Sequence, residues 1–383
     1  MMAKKKGEKL KVVAKVLLVA VTLVLALALF FSFLAKLLPP SLSEVVAYCG
    51  LLFPYLLVGN LALTIVWLVW DYTWALVPAL VILLNINNID RHFQFRGIDK
   101  PDVCVSCLKV MSYNARAFNI YNPDQKSMNK QFTDFISREM PDILCVQEYS
   151  YDENGKTGFQ STQAIIEAMR VKDNDRTHKE MLPYKNKLGY QFGLAVFSRY
   201  RIVGGGYVDT EDESSNKSMY VDIKFNSDTL RVYNIHLASM HLESSDYAAG
   251  KAMLSGVYDS ATNNNAQNLF RKISAAYELR QKQARLIHRH IKESPYPVVV
   301  CGDFNDSPAS YSYNKIVGGL KDSFRSSGKG TGTTYAGRDL PSFRIDYIAH
   351  DKQFNDFQHT VCRDLDVSDH YPVYTYISFV KKN

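Results

Sequence analysis

The sequence predicts an α/β or α+β domain preceded by transmembrane helices, and three observations lead there. The first 90 residues hold three long, uncharged, apolar runs. From Leu108 onward, short β-rich runs alternate with amphipathic stretches and turn signals. Several of those β-rich runs stop at a carboxylate, an amide or a histidine.

At 383 residues the chain is long enough for one large domain with an attachment. Its formal charge is +7, but residues 1–100 carry ten Lys and Arg against five Asp and Glu. The basic character therefore belongs mostly to the N-terminal part and is poor evidence for nucleic-acid binding. Six cysteines in a chain of this length do not make a disulfide framework. Cys145 and Cys301 lie inside apolar runs and read as small core residues. Cys104 and Cys107 form a single C-x-x-C with no second pair, which disfavours zinc and leaves the redox compartment open.

Lys4, Lys5, Lys6, Lys9, Lys11 and Lys15 precede an uncharged run over residues 16–35, long enough to cross a bilayer core. A cleaved signal peptide has a shorter apolar centre and a small-residue cleavage site, so an uncleaved anchor is expected. Residues 45–70 are also uncharged, with Asn60 the main polar interruption. A third run, 72–89, is weakened by Pro78, Asn85, Asn87 and Asn88. All three tryptophans, Trp67, Trp70 and Trp74, flank Asp71, which marks a membrane interface and a tight hairpin. The expected organisation is a membrane anchor over 1–90 with about three transmembrane helices, a linker over 91–107, and a soluble domain over 108–383. The anchor meets the membrane through residues 16–89. The lysines place the N-terminus in the cytoplasm, and three crossings then export everything after about residue 90. Arg91, Arg96 and Lys100 pull weakly the other way. The expectation is an integral protein of a bacterial inner membrane with its soluble domain outside the cytoplasm.

Within that domain, residues 108–113 read as a strand ending at Asn114, and 128–140 as a helix stopped by Pro141. Residues 143–146 form a strand ending at Gln147 and Glu148. Further strands are read at 193–197, at 219–225 and at 230–235, the last ending at His236. Residues 266–291 have helical spacing and lead into 298–301, an apolar run that Gly302 breaks before Asp303, Phe304 and Asn305. In extended backbone Asp303 and Asn305 share a face, with Val299 and Cys301 packed beneath them. Residues 343–349 carry Asp346, and Asp369 and His370 precede the last strand, 373–379. Two stretches, 151–187 and 239–265, exceed what a compact domain needs and are expected to be functional loops. There is no internal repeat.

An isolated D-x-N is ordinarily a turn that closes a strand. Asp303 and Asn305 are accompanied by five other polar strand ends: Asn114, Glu148, His236, Asp346 and the Asp369/His370 pair. The set offers carboxylates for a hard cation, histidines for proton transfer or phosphate contact, and amides to orient oxygens. Metal-assisted phosphoester hydrolysis needs those three kinds of group.

Seven stretches then occur in a familiar order: MSYNAR at 111–116, PDILCVQE at 141–148, GLAVFSR at 193–199, YNIHL at 233–237, VVVCGDFNDSP at 298–308, RIDYI at 344–348 and SDHYPV at 368–373. From about Leu108 to the C-terminus the chain resembles the endonuclease/exonuclease/phosphatase superfamily, of the deoxyribonuclease and neutral sphingomyelinase type. The resemblance implies a four-layer sandwich, two mixed β-sheets flanked by helices, with the site at one end. It also implies a catalytic role for the domain, with Mg²⁺ as cofactor and Mn²⁺ as the alternative. Glu148 resembles the main metal-binding carboxylate, Asp369 a further metal-side carboxylate, and Asn114 the amide that helps hold the metal and catalytic groups. Asp303 is similar to the residue that orients or deprotonates the attacking water, with Asn305 as its phosphate-contacting partner. Asp346 resembles the acid that orients His370, which in turn contacts the scissile phosphate. His236 stands where the deoxyribonuclease and sphingomyelinase types carry a general acid and abasic-site endonucleases do not. Arg116 resembles a phosphate-facing position.

The expected function is thus membrane-anchored, Mg²⁺-dependent hydrolysis of a phosphodiester, in nucleic acid or in a phospholipid or sphingolipid headgroup. One site chemistry serves several leaving groups, so the motifs do not choose between these substrates. The alternatives are a non-catalytic, membrane-tethered binding scaffold on the same fold, and a phosphomonoesterase. No protein partner is expected.

Overall fold

A computed structural model of the protein describes residues 2–101, 104, 106–155, 159–171, 176–212, 214–240, 245–246, 248, 252, 255, 260–337 and 343–380. The chain divides into two compact units, one of Met1–His92 with Pro308–Asn314 and one of Phe93–Ser307 with Lys315–Asn383.

The first unit is helical. It contains α1 (Met2–Ala35), α2 (Glu44–Leu51), α3 (Phe53–Trp70), α4 (Tyr72–Leu84) and α5 (Ile86–His92). Two stretches, Glu8–Ala35 of α1 and Phe53–Trp70, are long and apolar enough to cross a membrane. The shorter has 18 residues, which at the helical rise gives about 27 Å, close to the ~30 Å hydrocarbon core. Helices α4 and α5 pass the same test only as a pair, bent by 59°. The apolar run 45–70 is therefore not one helix. Pro54, which has no N–H to donate, lies in the first turn of α3 and starts a new helix after α2. The third run breaks at Asn85, while Pro78 remains inside α4.

Asp71 forms the hairpin between α3 and α4. Its N–H donates to the Trp67 carbonyl at 2.9 Å, and its carboxylate accepts from the Thr73 hydroxyl at 2.7 Å and from Lys15 Nζ at 2.7 Å. A polar ladder runs along α1. Trp67 Nε1 donates to Thr22 Oγ1 at 2.8 Å, Asn60 to the Leu25 carbonyl at 3.0 Å, Asn85 to that of Leu29 at 3.0 Å and Asn88 to that of Ser32 at 3.2 Å. Those acceptors recur every three or four residues, so they form one stripe of the helix.

The second unit is built on two six-stranded sheets. The first holds β1 (Cys107–Asn114), β2 (Ile143–Asp152), β3 (His178–Lys185), β4 (Tyr190–Ser198), β11 (Phe354–Val361) and β12 (Val373–Phe379), in the order β11-β12-β1-β2-β4-β3. The second holds β5 (Ile202–Val208), β6 (Ser218–Phe225), β7 (Asp228–His236), β8 (Val298–Asp303), β9 (Lys321–Asp322) and β10 (Asp346–His350), in the order β5-β6-β7-β8-β10-β9. Each sheet is mixed. Only β1/β2 in the first and β7/β8 in the second are parallel pairs.

Strand alternation sorts the core into layers. Val110, Ile143, Cys145 and Val196 from the first sheet meet Val221, Val232, Val299, Cys301 and Ile348 from the second. Their neighbours Met111, Leu144, Val146 and Phe197 face the other way, toward Phe132 and Ile136 of α6 (Gln125–Glu139) and Ile165 and Met169 of α7 (Ser161–Met169). A long helix, α8 (Ser260–Lys292), buries Tyr277, Ala284 and Ile287.

Two expectations need correction, and a third lies mostly outside the described residues. Residues 151–187 do not form a long loop, because the stretch contains the end of β2, α7 and β3. Most of 239–259 lies outside the described residues, and α8 begins at Ser260. Gly302 does not break its strand. It continues β8 at φ 148°, where a Cβ would lie 1.9 Å from the Ile235 carbonyl oxygen of β7, so glycine permits the two backbones to approach. Cys104 and Cys107 are joined in a disulfide at the start of β1, while Cys49, Cys145, Cys301 and Cys362 are free thiols.

Candidate active site

Strand register assembles the site. Parallel pairing sets His236 of β7 opposite Asp303 of β8, and antiparallel pairing sets Asp303 opposite Asp346 of β10. In the other sheet, Asn114 at the end of β1 stands opposite Gln147 of β2. Three adjacent strands of one sheet and two of the other thus bring their polar residues together.

Asn114 is the connector. Its Nδ2 donates to Glu148 Oε1 at 3.1 Å and to Asp303 Oδ2 at 3.0 Å. His370 Nδ1 lies 2.9 Å from Asp346 Oδ2, and its Nε2 lies 3.8 Å from Asp303 Oδ2. His236 Nε2 is 3.6 Å from the same Asp303 oxygen and 3.9 Å from Glu148 Oε1. Asp303, with 1% of its surface exposed, is thus the common neighbour of two histidines and an amide.

Asn305 reaches Asp303 by a different route from the one expected. It has left β8 and sits at φ 50°. Its N–H donates to Asp303 Oδ1 at 2.8 Å, an Asx turn, and its Nδ2 donates to the Leu237 carbonyl at 3.0 Å and to Asp303 Oδ2 at 3.3 Å. The pair is adjacent through this turn, not through alternation along a strand. Arg116 and Asp369 lie beside one another, with Nε 3.8 Å from Oδ2 and the arginine side chain 57% exposed.

Glu148 also differs from the strand-end position expected for it. Strand β2 continues past it to Asp152, and the pairing with β4 shifts register between Val146/Ala195 and Tyr149/Gly193. Gln147 and Glu148 together oppose Leu194, which makes a β-bulge, and Glu148 adopts φ 46°. An extra residue in a strand re-aims side chains locally.

The electrostatics follow from burial and from unlike neighbours. Burial raises the Asp303 carboxyl to about 6, with His370 opposing that rise and Asp346 adding to it. Burial lowers the His370 imidazole, but the charges of Asp346 and Asp303 and the hydrogen bond to Asp346 outweigh it, and the group rises to about 10. The Glu148 carboxyl is raised by desolvation against the Asn114 hydrogen bond, although 42% of its side chain remains open to solvent.

These donors suit a hard divalent cation. Among the described residues no Lys or Arg forms an ion pair with Glu148, whose hydrogen-bond donor is the neutral amide of Asn114. An accessible carboxylate oxygen is the kind of ligand such an ion takes, and here it lies in the field of His370 and Arg116. A second group, Asp303, Asp346 and His370, has its ligand atoms within 4.8 Å of one another. There, however, a doubly charge-paired imidazole is held as imidazolium near neutral pH, and it offers no lone pair.

Several residues that shape the site were not singled out in the sequence, although Ser368 opens the SDHYPV stretch. Asn216 Nδ2 lies 2.9 Å from His236 Nε2. Thr334 Oγ1 accepts from the N–H groups of Ile345 and Asp346, each at 3.1 Å. Ser368 Oγ donates to the Asn114 carbonyl at 2.9 Å and accepts from the His370 N–H at 3.2 Å. From α8, Gln283 Oε1 accepts from the Ala238 N–H at 2.9 Å, and the fully buried Arg280 donates to the Asn305 carbonyl. Arg280 and Gln283 are one helical turn apart, and that spacing before the G-D-F-N stretch is the signal that could have found them.

The chain is similar to known proteins in sequence pattern and in fold. The sequence model of the Endonuclease/Exonuclease/phosphatase family matches residues 111–370. Residues 14–92 match a domain of unknown function, DUF8431. No curated protein matches the sequence. Among solved structures, an endonuclease/exonuclease/phosphatase from Bacteroides vulgatus is similar in fold, with TM-score 0.51, 16% identity, and coverage of 72% of this chain and 100% of that one. A family protein from Leptotrichia buccalis has TM-score 0.49, 17% identity and coverage of 71% and 100%. D. rerio TDP2 complexed with a single-strand DNA product has TM-score 0.49, 14% identity and coverage of 71% and 99%. With more than half of its length matched by the family model, the chain belongs to the endonuclease/exonuclease/phosphatase family and is a metal-dependent hydrolase of phosphoester bonds.

Proposed function

We propose that the protein is a membrane-anchored, Mg²⁺-dependent phosphodiesterase whose water nucleophile is activated by Asp303. The observation that carries this reading is the unbroken run of contacts Asp346–His370–Asp303–Asn114–Glu148. Glu148, with Asn114 and Asp369, would hold the cation, and Mn²⁺ could replace Mg²⁺. When bound, the ion neutralises charge that develops on the phosphoryl oxygens.

The protein's own groups supply the rest. Asp303, poised near 6, is ionised at neutral pH and still basic enough to take a proton from water. His370, kept as imidazolium by Asp346, donates to a non-bridging phosphate oxygen, and the exposed Arg116 adds a second positive charge. His236 is the general acid for the leaving oxygen, a role that needs Nε2 protonated and therefore the Asn216 amide turned to present its oxygen to the ring. Asn305, oriented through the Leu237 carbonyl, keeps the Asp303 carboxylate aimed and contacts phosphate.

The cysteine pair and the lysine-rich N-terminus support an extracytoplasmic catalytic unit. Disulfides persist in oxidising compartments, and Cys104 and Cys107 form one beside β1. With three crossings, the lysines before residue 16 would leave the second unit on the outer face.

The deciding experiment uses the full-length protein in detergent, freed of metal, with and without Mg²⁺. The substrates are plasmid DNA, RNA, sphingomyelin, phosphatidylcholine and bis(p-nitrophenyl) phosphate, with His370→Ala as the control. Mg²⁺-dependent diester cleavage that disappears in the variant is the expected result, and the preferred substrate names the branch. Release of inorganic phosphate from monoesters with no action on any diester would replace this reading with a phosphomonoesterase.

A further inference from the structure

The bulge that carries Glu148 is tied to the opposite sheet by one buried side chain. Where Gln147 and Glu148 face the single residue Leu194, the ladder between β2 and β4 is interrupted. Val146 and Ala195, which face one another across the two strands at one edge of the interruption, are buried.

Asn234 of β7 meets both. Its Nδ2 donates to the Val146 carbonyl at 2.9 Å and to the Ala195 carbonyl at 2.9 Å. Its Oδ1 accepts from Gln147 Nε2 at 2.6 Å, and Gln147 Nε2 also reaches Ser112 Oγ of β1 at 3.1 Å. One amide, with no exposed surface, therefore ties both strands of the bulge and one of the two residues that oppose Leu194 to the second sheet. Gln147 turns inward to Asn234, and the next residue, Glu148, turns out toward Asn114 and the two histidines.

We propose that Asn234 is a positioning residue for the metal-binding carboxylate. It locks the bulge in the single conformation that aims Glu148, and Gln147 serves as its relay. The inference rests on the reading of Glu148 as the metal carboxylate. Groups behind a ligand typically change metal affinity by about 10–100-fold when removed.

The test measures Mn²⁺ binding to the full-length protein in detergent by calorimetry, in the wild type and in Asn234→Ala, Gln147→Met and Glu148→Gln. The expected result is a Kd for Mn²⁺ weakened about tenfold or more in Asn234→Ala and severalfold in Gln147→Met. Excess Mg²⁺ should restore most of the rate on bis(p-nitrophenyl) phosphate. A protein that had merely lost folded molecules would instead bind with reduced stoichiometry at unchanged Kd. In the Glu148→Gln background, Asn234→Ala should add no further weakening, because both changes act through one carboxylate. Should Asn234→Ala fail to fold, the near-isosteric Gln147→Met decides alone. An unchanged Kd in a folded variant, with the wild type binding normally, overturns the role of Asn234 only. Absence of Mn²⁺ binding in the wild type overturns the reading of Glu148 itself, together with this inference.

Discussion

The two units of this chain use the same side chain for opposite purposes. In the helical unit, the amides of Asn60, Asn85 and Asn88 donate to backbone carbonyls of α1. In the catalytic unit, Asn114 gives its N–H groups to two carboxylates, and Asn216 lies against an imidazole nitrogen. A neutral donor on a neutral carbonyl is adhesive, because an apolar surrounding gives the carbonyl no better partner. The same donor on carboxylates orients negative charges without neutralising them, so they remain available to a cation and to water. Identity of residue type thus says little about role. The charge of the acceptor decides it.

The contrast breaks most sharply where a catalytic carboxylate is made neutral. Asp303→Asn preserves shape and hydrogen bonding but leaves no base, and a fall in kcat of about 10³–10⁴-fold is expected on an aryl phosphodiester at saturating Mg²⁺. Retention of more than a tenth of the activity would remove Asp303 from the chemistry. Asn114→Ala comes next. Its loss frees Glu148 and Asp303 to repel one another, with an expected fall of about 10²-fold in kcat/KM and little change in melting temperature.

Titration sharpens the comparison further. On the proposed mechanism the rate needs Asp303 deprotonated and His370 protonated. It should fall tenfold per pH unit below a limb at or under about 6, since a nearby cation can only lower the Asp303 value, and again above a limb near 10. A limb between pH 7 and 9 on the alkaline side would contradict the charge pairing of His370. The smallest effect belongs to the helical unit. Asn60→Leu removes two hydrogen bonds to carbonyls and should leave kcat untouched, while destabilising the helix assembly by about 1 kcal/mol in a detergent unfolding titration.

How much of this was legible in the sequence depends on whether local pattern carries the information. His236, Asp303 and Asp346 could be read because each adjoins an apolar strand, and their convergence needs only the strand order. The two-sheet architecture came through the ordered motifs, since alternation of strands and helices does not distinguish a sandwich from a single sheet. The bulge at Glu148 was missed, although a trace of it is present. Leu144, Val146 and Tyr149 all pack in the same outer layer, so the apolar spacing changes from two to three at that point. Read as the end of a strand, that change is the extra residue itself. Asn234 lies inside YNIHL but was not singled out, because two of its three partners are carbonyls, which every sequence has everywhere. The helix break at Asn85 was obscured by Pro78, which is the stronger breaker in isolation yet is tolerated inside α4.

The bulge also bears on how such an enzyme could cease to be one. Deleting the single codon for Glu148 would let Gln147 face Leu194 and leave Tyr149 opposite Gly193 as it is now, so the ladder would close and the core would keep its inward and outward faces. The backbone would shed a positive φ at the same stroke. If Glu148 is the metal carboxylate, catalysis hangs on an insertion that the scaffold does not require. A lineage could then discard it in one step and retain a sound protein that still presents the rest of the cleft to a ligand.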